Sequence, residues 1–238
     1  MLLQVNEIHS YYEKSHILHG VSMRIEQGEM VCLLGRNGVG KSTTLKSVIG
    51  IIEPKQGSIL FKGKDLVGKA PYQIARTGIG YVPEDRRIFK SLTTHENLLM
   101  GIKGGKTAKG NLGQAWSIEK IYRAFPKLEE RRGNKGAHLS GGEQQMLTVA
   151  RTLMGNPELI LIDEPTEGLA PLIAKDVLDM LSKVLESGVS ILMVEQNYKA
   201  AIKVAGRFYI MSKGQIFFEG DGRALMEAED IRKNYLEV

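Results

Sequence analysis

Two hydrophobic rhythms run along this chain. Near the N-terminus, LLQVNEI and ILHGVSMRI alternate apolar with polar residues, with breaks at His9 to Ser15 and at Gln27 to Gly28. A period of two is what a half-buried strand requires, so these stretches predict a small antiparallel sheet. Met30 to Leu34 and ELILIDEP, Glu158 to Pro165, are apolar almost without interruption. Such strands are buried on both faces, as in a parallel sheet covered by helices. IGYV before Pro83, VSILMVE, RFYIM and QIFFEG add further strands, and IIEPKQGSILFKGKDL reads as a turn and a strand. Helical spacing falls between them: from Lys41, in PYQIARTG behind Pro71, from about Pro171 to Glu186, and from Tyr198 to Val204, with a short charged helix at the C-terminal end. This alternation predicts an α/β fold with a mostly parallel sheet and helices on both faces.

The character changes at Leu92. HENLLMG and AWSIEKIYRAF are helical in spacing, separated by KGGKTAKGNLG, which reads as an exposed flexible loop. The stretch Leu139 to Pro157 then predicts a helix that opens on a capping box of Ser140 with Glu143 and ends around Gly155, before Pro157. The organisation expected is one domain over residues 1–238, with a core from 1–91 and 158–238 and an inserted helical subdomain over 92–157. At 238 residues the chain suffices for one large α/β domain. The 32 basic and 27 acidic residues leave a charge of +5. That excess is too mild to imply nucleic acid, and the lysine-rich loop lacks the aromatic interleaving of a single-strand binder. Cys32, the single cysteine, falls in a buried strand and allows no internal disulfide. With no apolar run of about 18 residues and no basic-then-apolar leader, the chain is expected to stay in the cytosol, free to dock on a membrane protein.

Chemistry concentrates at three places. Gly35, Arg36, Asn37, Gly38, Val39, Gly40, Lys41, Ser42 and Thr43 lie between an apolar strand and a helix start. Bare glycines let successive main-chain N–H groups turn inward on one anion, and the helix adds its positive end. In this pattern Lys41 reaches the β- and γ-phosphates and the Ser42 hydroxyl takes Mg²⁺. Second, Gly141 and Gly142 weaken the first turn of their helix by about 1 kcal/mol each relative to alanine. A ligand approaching the backbone accounts for that cost, and Ser140 with the two glycines suits a second phosphate contact. Third, Asp163 and Glu164 end an apolar strand, where ligands of open α/β sheets collect. They would sit beside the glycine loop if the two strands are neighbours. Asp163 then suits Mg²⁺ and Glu164 suits polarising an attacking water. Tyr12 either stacks on a purine or packs the sheet edge, and spacing leaves both open. Glu84, Asp85, Arg86 and Arg87 lie on a loop placed to touch a ligand or partner.

GRNGVGKS, LSGGE and LILIDEP, in this order, resemble the nucleotide-binding subunit of ABC transporters, over essentially the whole chain. YVPEDRRIF, FPKLEERR, LSGGEQQM, GLAP and VEQN are similar to the second ATP-binding subunit of branched-chain amino acid importers. The resemblance implies the ABC ATPase fold, a phosphate-loop ATPase core with a small N-terminal antiparallel β subdomain and an inserted helical subdomain. It implies ATP and Mg²⁺ as ligands, with Tyr12 on adenine, Gly35 to Thr43 around the phosphates, and Ser140, Gly141 and Gly142 contacting ATP held by the opposite subunit. Asp163 matches the Mg²⁺ aspartate, Glu164 the general base, and Glu167 to Ala170 the loop crossing between subunits. Three positions depart from the general pattern: Glu84 stands for a glutamine that reports on Mg²⁺, Gln196 for a histidine at the γ-phosphate, and Ala170 for an aspartate. Gln196 can donate a hydrogen bond but carries no positive charge. Partners implied are a second related ATP-binding subunit or a second copy, two polytopic permease subunits and, indirectly, a periplasmic or extracellular binding protein. The implied location is peripheral, on the cytoplasmic face of the inner membrane. Competing readings are a urea or short-amide importer, a regulatory partner whose catalysis is done by the other subunit, and an ABC-type ATPase without a transporter. The usual second cassette or long coiled coil of that last class is not seen in this sequence.

Overall fold

A computed structural model describes residues 1–102 and 115–237; the segment at 103–113, expected to be an exposed flexible loop, lies outside them. Two sheets form the frame. The first strands, β1 (Leu3–Tyr12) and β2 (Ser15–Ile25), pair antiparallel, and the other edge of β1 carries β4 (Gln56–Phe61) followed by β5 (Lys64–Asp65). The break anticipated at His9 does not end β1. Register shifts between Val5 and His9 and again between Ser10 and Tyr11 bend the strand instead, and the chain reverses only at Glu13 and Lys14. A bulge tolerates an extra residue while pairing resumes beyond it, which carries Tyr12 to the hairpin tip opposite Ser15.

The second sheet has six strands. Its members β3 (Met30–Leu34), β6 (Ile79–Val82), β7 (Leu159–Asp163), β8 (Ser190–Glu195), β9 (Arg207–Ser212) and β10 (Gln215–Asp221) are ordered β10-β9-β3-β8-β7-β6. All pair in parallel except β10, the antiparallel edge. Every residue of β3, β7 and β8 is buried, as their uninterrupted apolar runs require. The helices are α1 (Lys41–Val48), α2 (Pro71–Arg76), α3 (Thr94–Leu99), α4 (Ile118–Ala124), α5 (Pro126–Glu130), α6 (Gly141–Leu153), α7 (Pro171–Glu186), α8 (Tyr198–Ala201), α9 (Gly222–Glu227) and α10 (Glu229–Tyr235).

The period of two divides the core. Val31, Leu33, Leu159, Leu161, Leu192 and Val194 face Leu3, Val5 and Ile8 of the antiparallel sheet and Leu45 of α1. Their alternates, Cys32, Leu34, Ile160, Ile162, Ile191 and Met193, pack against Leu147 and Leu153 of α6 and Val177, Leu181 and Val184 of α7. Trp116, Ile121, Phe125 and Leu128 of the helical region belong to that same cluster. Burying an aliphatic or aromatic side chain contributes about 1.5–3 kcal/mol, so both faces of the sheet are needed to hold it flat between its two covers.

One turn ties this frame to the glycine loop. Lys213 and Gly214 join β9 to β10 with φ of 46° and 74°, the left-handed pair of a two-residue hairpin. The Gly214 N–H donates to the Val39 carbonyl at 2.8 Å, and the Gly214 carbonyl accepts from His19 N–H at 2.8 Å. A Cβ on Gly214 would lie 1.9 Å from the Ile17 carbonyl oxygen. Gly214→Ala should therefore cost at least about 2 kcal/mol through backbone strain and overpacking, read as a lower urea midpoint at unchanged slope.

Candidate functional site

The segments that follow β3, β6 and β7 meet the β1–β2 hairpin at a cavity of about 400 Å³ lined by Tyr12, Ile17, Asn37, Gly38, Gly40, Lys41, Ser42, Thr43, Glu84, Glu164 and Glu167. Its floor is the turn from β3 into α1. Gly38 and Gly40 hold φ of 79° and 114°, conformations that side-chain-bearing residues rarely adopt. Lys41 is 3% exposed and its ammonium is fully engaged. It donates to the Gly35 and Arg36 carbonyls, each at 3.0 Å, and pairs with Glu164 Oε1 at 3.0 Å. The lysine is thus fixed by its own loop before any ligand is considered.

β3 and β7 are not neighbours, because β8 lies between them. The two ends meet nonetheless. Ser42, one residue into α1, donates its hydroxyl to Asp163 Oδ1 at 2.9 Å, and Tyr81 donates to Asp163 Oδ2 at 3.4 Å. Burial pushes the Asp163 carboxyl up, with help from the charges of Glu164 and Glu84, while the Ser42 hydrogen bond opposes the rise. Among the described residues no group of three or more His, Cys, Asp or Glu is placed to hold a metal. Mg²⁺ needs no such cage: it keeps several waters and takes one or two protein oxygens beside substrate phosphates. The Ser42 and Asp163 oxygens, already 2.9 Å apart, fit that donor set, and Glu84 lines the same cavity.

Glu164 and Glu167 form a carboxyl pair. Burial works against the Glu164 carboxylate, but hydrogen bonds from Glu167 and Lys41 outweigh it and hold the group below its ordinary value. Glu167 is pushed up to about 7, first by its hydrogen bond to Glu164 and then by burial. Below about 7 the proton of this pair therefore lies on Glu167 and the charge on Glu164.

Of the remaining expected residues, Tyr12 reaches the cavity and the others lie outside its lining. Gly35, Arg36 and Val39 do not line the cavity: the first two offer carbonyls to Lys41, and the third offers its own to Gly214. Arg36 turns its guanidinium to the Glu237 carbonyl. Tyr12 is 45% exposed and forms one wall, a placement suited to a flat base. Gln196 is exposed and outside the cavity lining. Ser140, Gly141 and Gly142 are also outside it. The capping box is present, with Ser140 Oγ accepting from Glu143 N at 3.3 Å and Glu143 Oε2 accepting from Ser140 N at 2.8 Å. Gly142 has a reason that needs no ligand, since a Cβ there would stand 2.2 Å from Cγ2 of Ile173 in α7. Gly141 lacks so severe a restraint; its Cβ would come 3.3 Å from both Arg86 Nη1 and Leu169.

Two residues escaped the reading of the sequence. Ile17 lines the cavity because the hairpin of β1 and β2 folds over it, which periodicity does not reveal. Glu195 ends the apolar run of β8 at 3% exposure, and its carboxylate accepts from Thr166 N at 3.2 Å, Thr166 Oγ1 at 2.7 Å and Gln196 N at 3.1 Å. A charged residue closing VSILMVE, followed by Gln196, was the available signal.

Two outcomes follow from this geometry. Gly142→Ala should destabilise by about 1–3 kcal/mol in spite of alanine's better helix propensity, and Ile173→Ala in the same chain should recover part of the loss in urea melts. For Glu167 the folded carboxyl lies above its unfolded value, so its contribution to stability is present below about 4.5 and is lost as pH rises towards about 7. Glu167→Gln removes that titration. The melting-temperature difference, variant minus wild type, should grow between those pH values and level off above them, with a small amplitude because Glu167 is exposed.

Comparison with known proteins gives this geometry a lineage. Residues 18–167 match the model of the ABC transporter family. Over 235 residues, 99% of both chains, the sequence is 40% identical to the high-affinity branched-chain amino acid transport ATP-binding protein BraG of Pseudomonas aeruginosa. It is 31% identical to the lipopolysaccharide export system ATP-binding protein LptB of Haemophilus influenzae, covering 99% of this chain and 97% of that one. The fold superposes on the crystal structure of a nucleotide-free ATP-binding cassette from an ABC transporter with a TM-score of 0.83 at 27% identity, covering 98% of this chain and 96% of the other. The chain belongs to the ABC transporter family, as one of its ATPase subunits.

Proposed function

We propose that this subunit hydrolyses ATP in a Mg²⁺-dependent reaction that powers an importer of branched-chain amino acids. The observation that carries the chemistry is the meeting of Lys41, Ser42, Asp163 and Glu164 at one sheet edge, with Lys41 bonded to Glu164 and Ser42 to Asp163. The cargo rests on the 40% identity with BraG, which exceeds the 31% shared with the lipopolysaccharide-export relative.

In this reading Tyr12 takes the adenine, and the main-chain N–H groups of Gly35 to Thr43 surround the phosphates. Lys41 is the one cation among the described residues lining the cavity, against Glu84, Glu164 and Glu167. One ammonium does not balance a triphosphate in such a setting, which is the electrostatic argument for a metal. Ser42 and Asp163 would hold Mg²⁺, with Glu84 beside them; when bound, it supplies positive charge to the phosphate oxygens. Glu164 accepts a proton from a water whose oxygen attacks the γ-phosphorus, while the bond to the β–γ bridging oxygen breaks and ADP leaves. Gln196 donates a hydrogen bond to the γ-phosphate. As a neutral donor it stabilises developing charge less than an imidazolium.

Ser140, Gly141 and Gly142 lie outside this cavity, which supports assigning them to a nucleotide held by an opposing subunit. That subunit is a related ATPase or a second copy, and residues 167–170 cross towards it. The pair works with two polytopic permeases on the cytoplasmic face of the inner membrane and, through them, with an external binding protein. No helix among the described residues is long and apolar enough to cross a membrane, so contact with it runs through those permeases.

Glu164→Gln tests the assignment. In vesicles containing the assembled transporter, the variant should bind ATP yet lose hydrolysis by about 10²- to 10⁴-fold, and ATP-dependent leucine uptake should disappear with it. Undiminished hydrolysis would remove Glu164 from the base role, and vesicles that hydrolyse ATP while moving urea but not leucine would refute the cargo.

A further inference from the structure

Glu195 is a buried carboxylate that the reaction outlined above does not use. It closes β8, the strand lying between β3 and β7. In register it sits opposite Leu34, the last residue before the glycine loop, and the preceding residue, Val194, accepts the Glu164 N–H at 3.0 Å. Among the described residues no cation pairs with the Glu195 carboxylate. Removing an unpaired charge from water is costly, and an apolar residue would close a buried strand more cheaply.

Neutral donors take the cation's place, and they come from two different loops. Oε1 accepts from Thr166 N at 3.2 Å and Thr166 Oγ1 at 2.7 Å, two residues beyond Glu164. Oε2 accepts from Gln196 N at 3.1 Å. The Asn197 N–H also turns to the carboxylate, while the Asn197 side chain caps α8 at Ala200 N, 3.1 Å away. Each oxygen therefore serves one loop, and a single rigid group fixes the spacing between them.

We propose that Glu195 is a positioning residue: by holding the Thr166 loop with one oxygen and the Gln196 loop with the other, it sets Gln196 in register with Glu164 across the γ-phosphate. The proposal rests on the reading that Gln196 contacts that phosphate. It deepens that reading by tying the segment at 166–170, which leads to the opposing subunit, to the γ-phosphate contact of this one. Displacement of either loop is passed to the other through a carboxylate that has no freedom to follow both.

Glu195→Gln separates the two attachments at nearly constant volume. The amide oxygen can still accept from Thr166, but the amide nitrogen would then face the Gln196 N–H, donor against donor. In the assembled transporter, kcat for ATP should fall roughly ten- to a hundredfold with KM unchanged, the mark of lost positioning rather than lost binding. If Glu195 acts through Gln196, then Glu195→Gln combined with Gln196→Ala should be no slower than Gln196→Ala alone. Thr166→Val, which removes one hydroxyl donor and no charge, should lower kcat in the same direction and should not add to Glu195→Gln. This second variant keeps the test valid if the first folds poorly.

Losses that multiply in the double variant would overturn the proposal while leaving Gln196 in its role. A rise in KM at unchanged kcat, or a lowered melting temperature with full kcat, would also overturn it, since either leaves Glu195 only a binding or structural part. Full activity of Gln196→Ala alone would overturn both the γ-phosphate assignment and the proposal built on it.

Discussion

The Lys41 ammonium is the constraint on which the site depends. At 3% exposure it is almost wholly removed from water, and two loop carbonyls and the Glu164 carboxylate each lie 3.0 Å away. Breaking a buried pair by removing one partner leaves an uncompensated charge, which costs about 3–5 kcal/mol. The loop carbonyls can only point inward at the lysine if the chain turns as tightly as Gly38 and Gly40 allow. The lysine and the loop therefore enforce each other, and an incoming anion meets a cation already oriented.

Sheet order explains how groups far apart in sequence converge on that lysine. Asp163 ends β7 and Ser42 begins α1, with β8 lying between β7 and β3. A neighbouring strand is about 4.8 Å away, so two strand spacings separate the ends of β3 and β7. The span is closed from above: α1 starts over the sheet edge and brings Ser42 across to Asp163. The strand in the middle then has a free end directly beneath the site, and Glu195 occupies it. The carboxylate at that end reaches the loop after the aspartate's strand at Thr166 and the loop after its own strand at Gln196.

Much of this was legible in the sequence because the signals were strong and local. The apolar run over Met30 to Leu34 is a wholly buried strand, Ser140 and Glu143 form their reciprocal cap, and α7 spans Pro171–Glu186. The losses have a common physical cause, which is that they depend on contacts distant in sequence. Hydrophobic period fixes which faces of a strand are buried but not which strand lies beside it, so β8 between β3 and β7 was not foreseen. A bulge preserves pairing past a polar stretch, so β1 ran through His9 to Tyr12. The close approach of Ile173 to Gly142 was hidden in the same way, because the two residues are 31 positions apart in the chain. Likewise, the pairing of Glu195 with Thr166 spans 29 positions and no pattern within either segment encodes it.

The departures from the general family pattern act together on charge. A carboxylate at Glu84 adds negative charge to a cavity that already holds Glu164 and Glu167, while a neutral Gln196 stands where the general pattern has a titratable histidine. Both changes make the ground state less hospitable to a triphosphate unless metal cations come with it. Below about 7 a proton on Glu167 limits the repulsion, for with Glu167 neutral the hydrogen bond to Glu164 stabilises one negative charge instead of setting two against each other. In the proposed reaction such a site separates its tasks: the loop and Lys41 would grip phosphate, the Ser42 and Asp163 oxygens would suit a metal, and Glu164 would act as the base. With no imidazolium to pull at long range, Gln196 in the proposed role would act through hydrogen-bond geometry alone, and the Glu195 carboxylate that accepts its N–H at 3.1 Å is the group placed to supply that geometry.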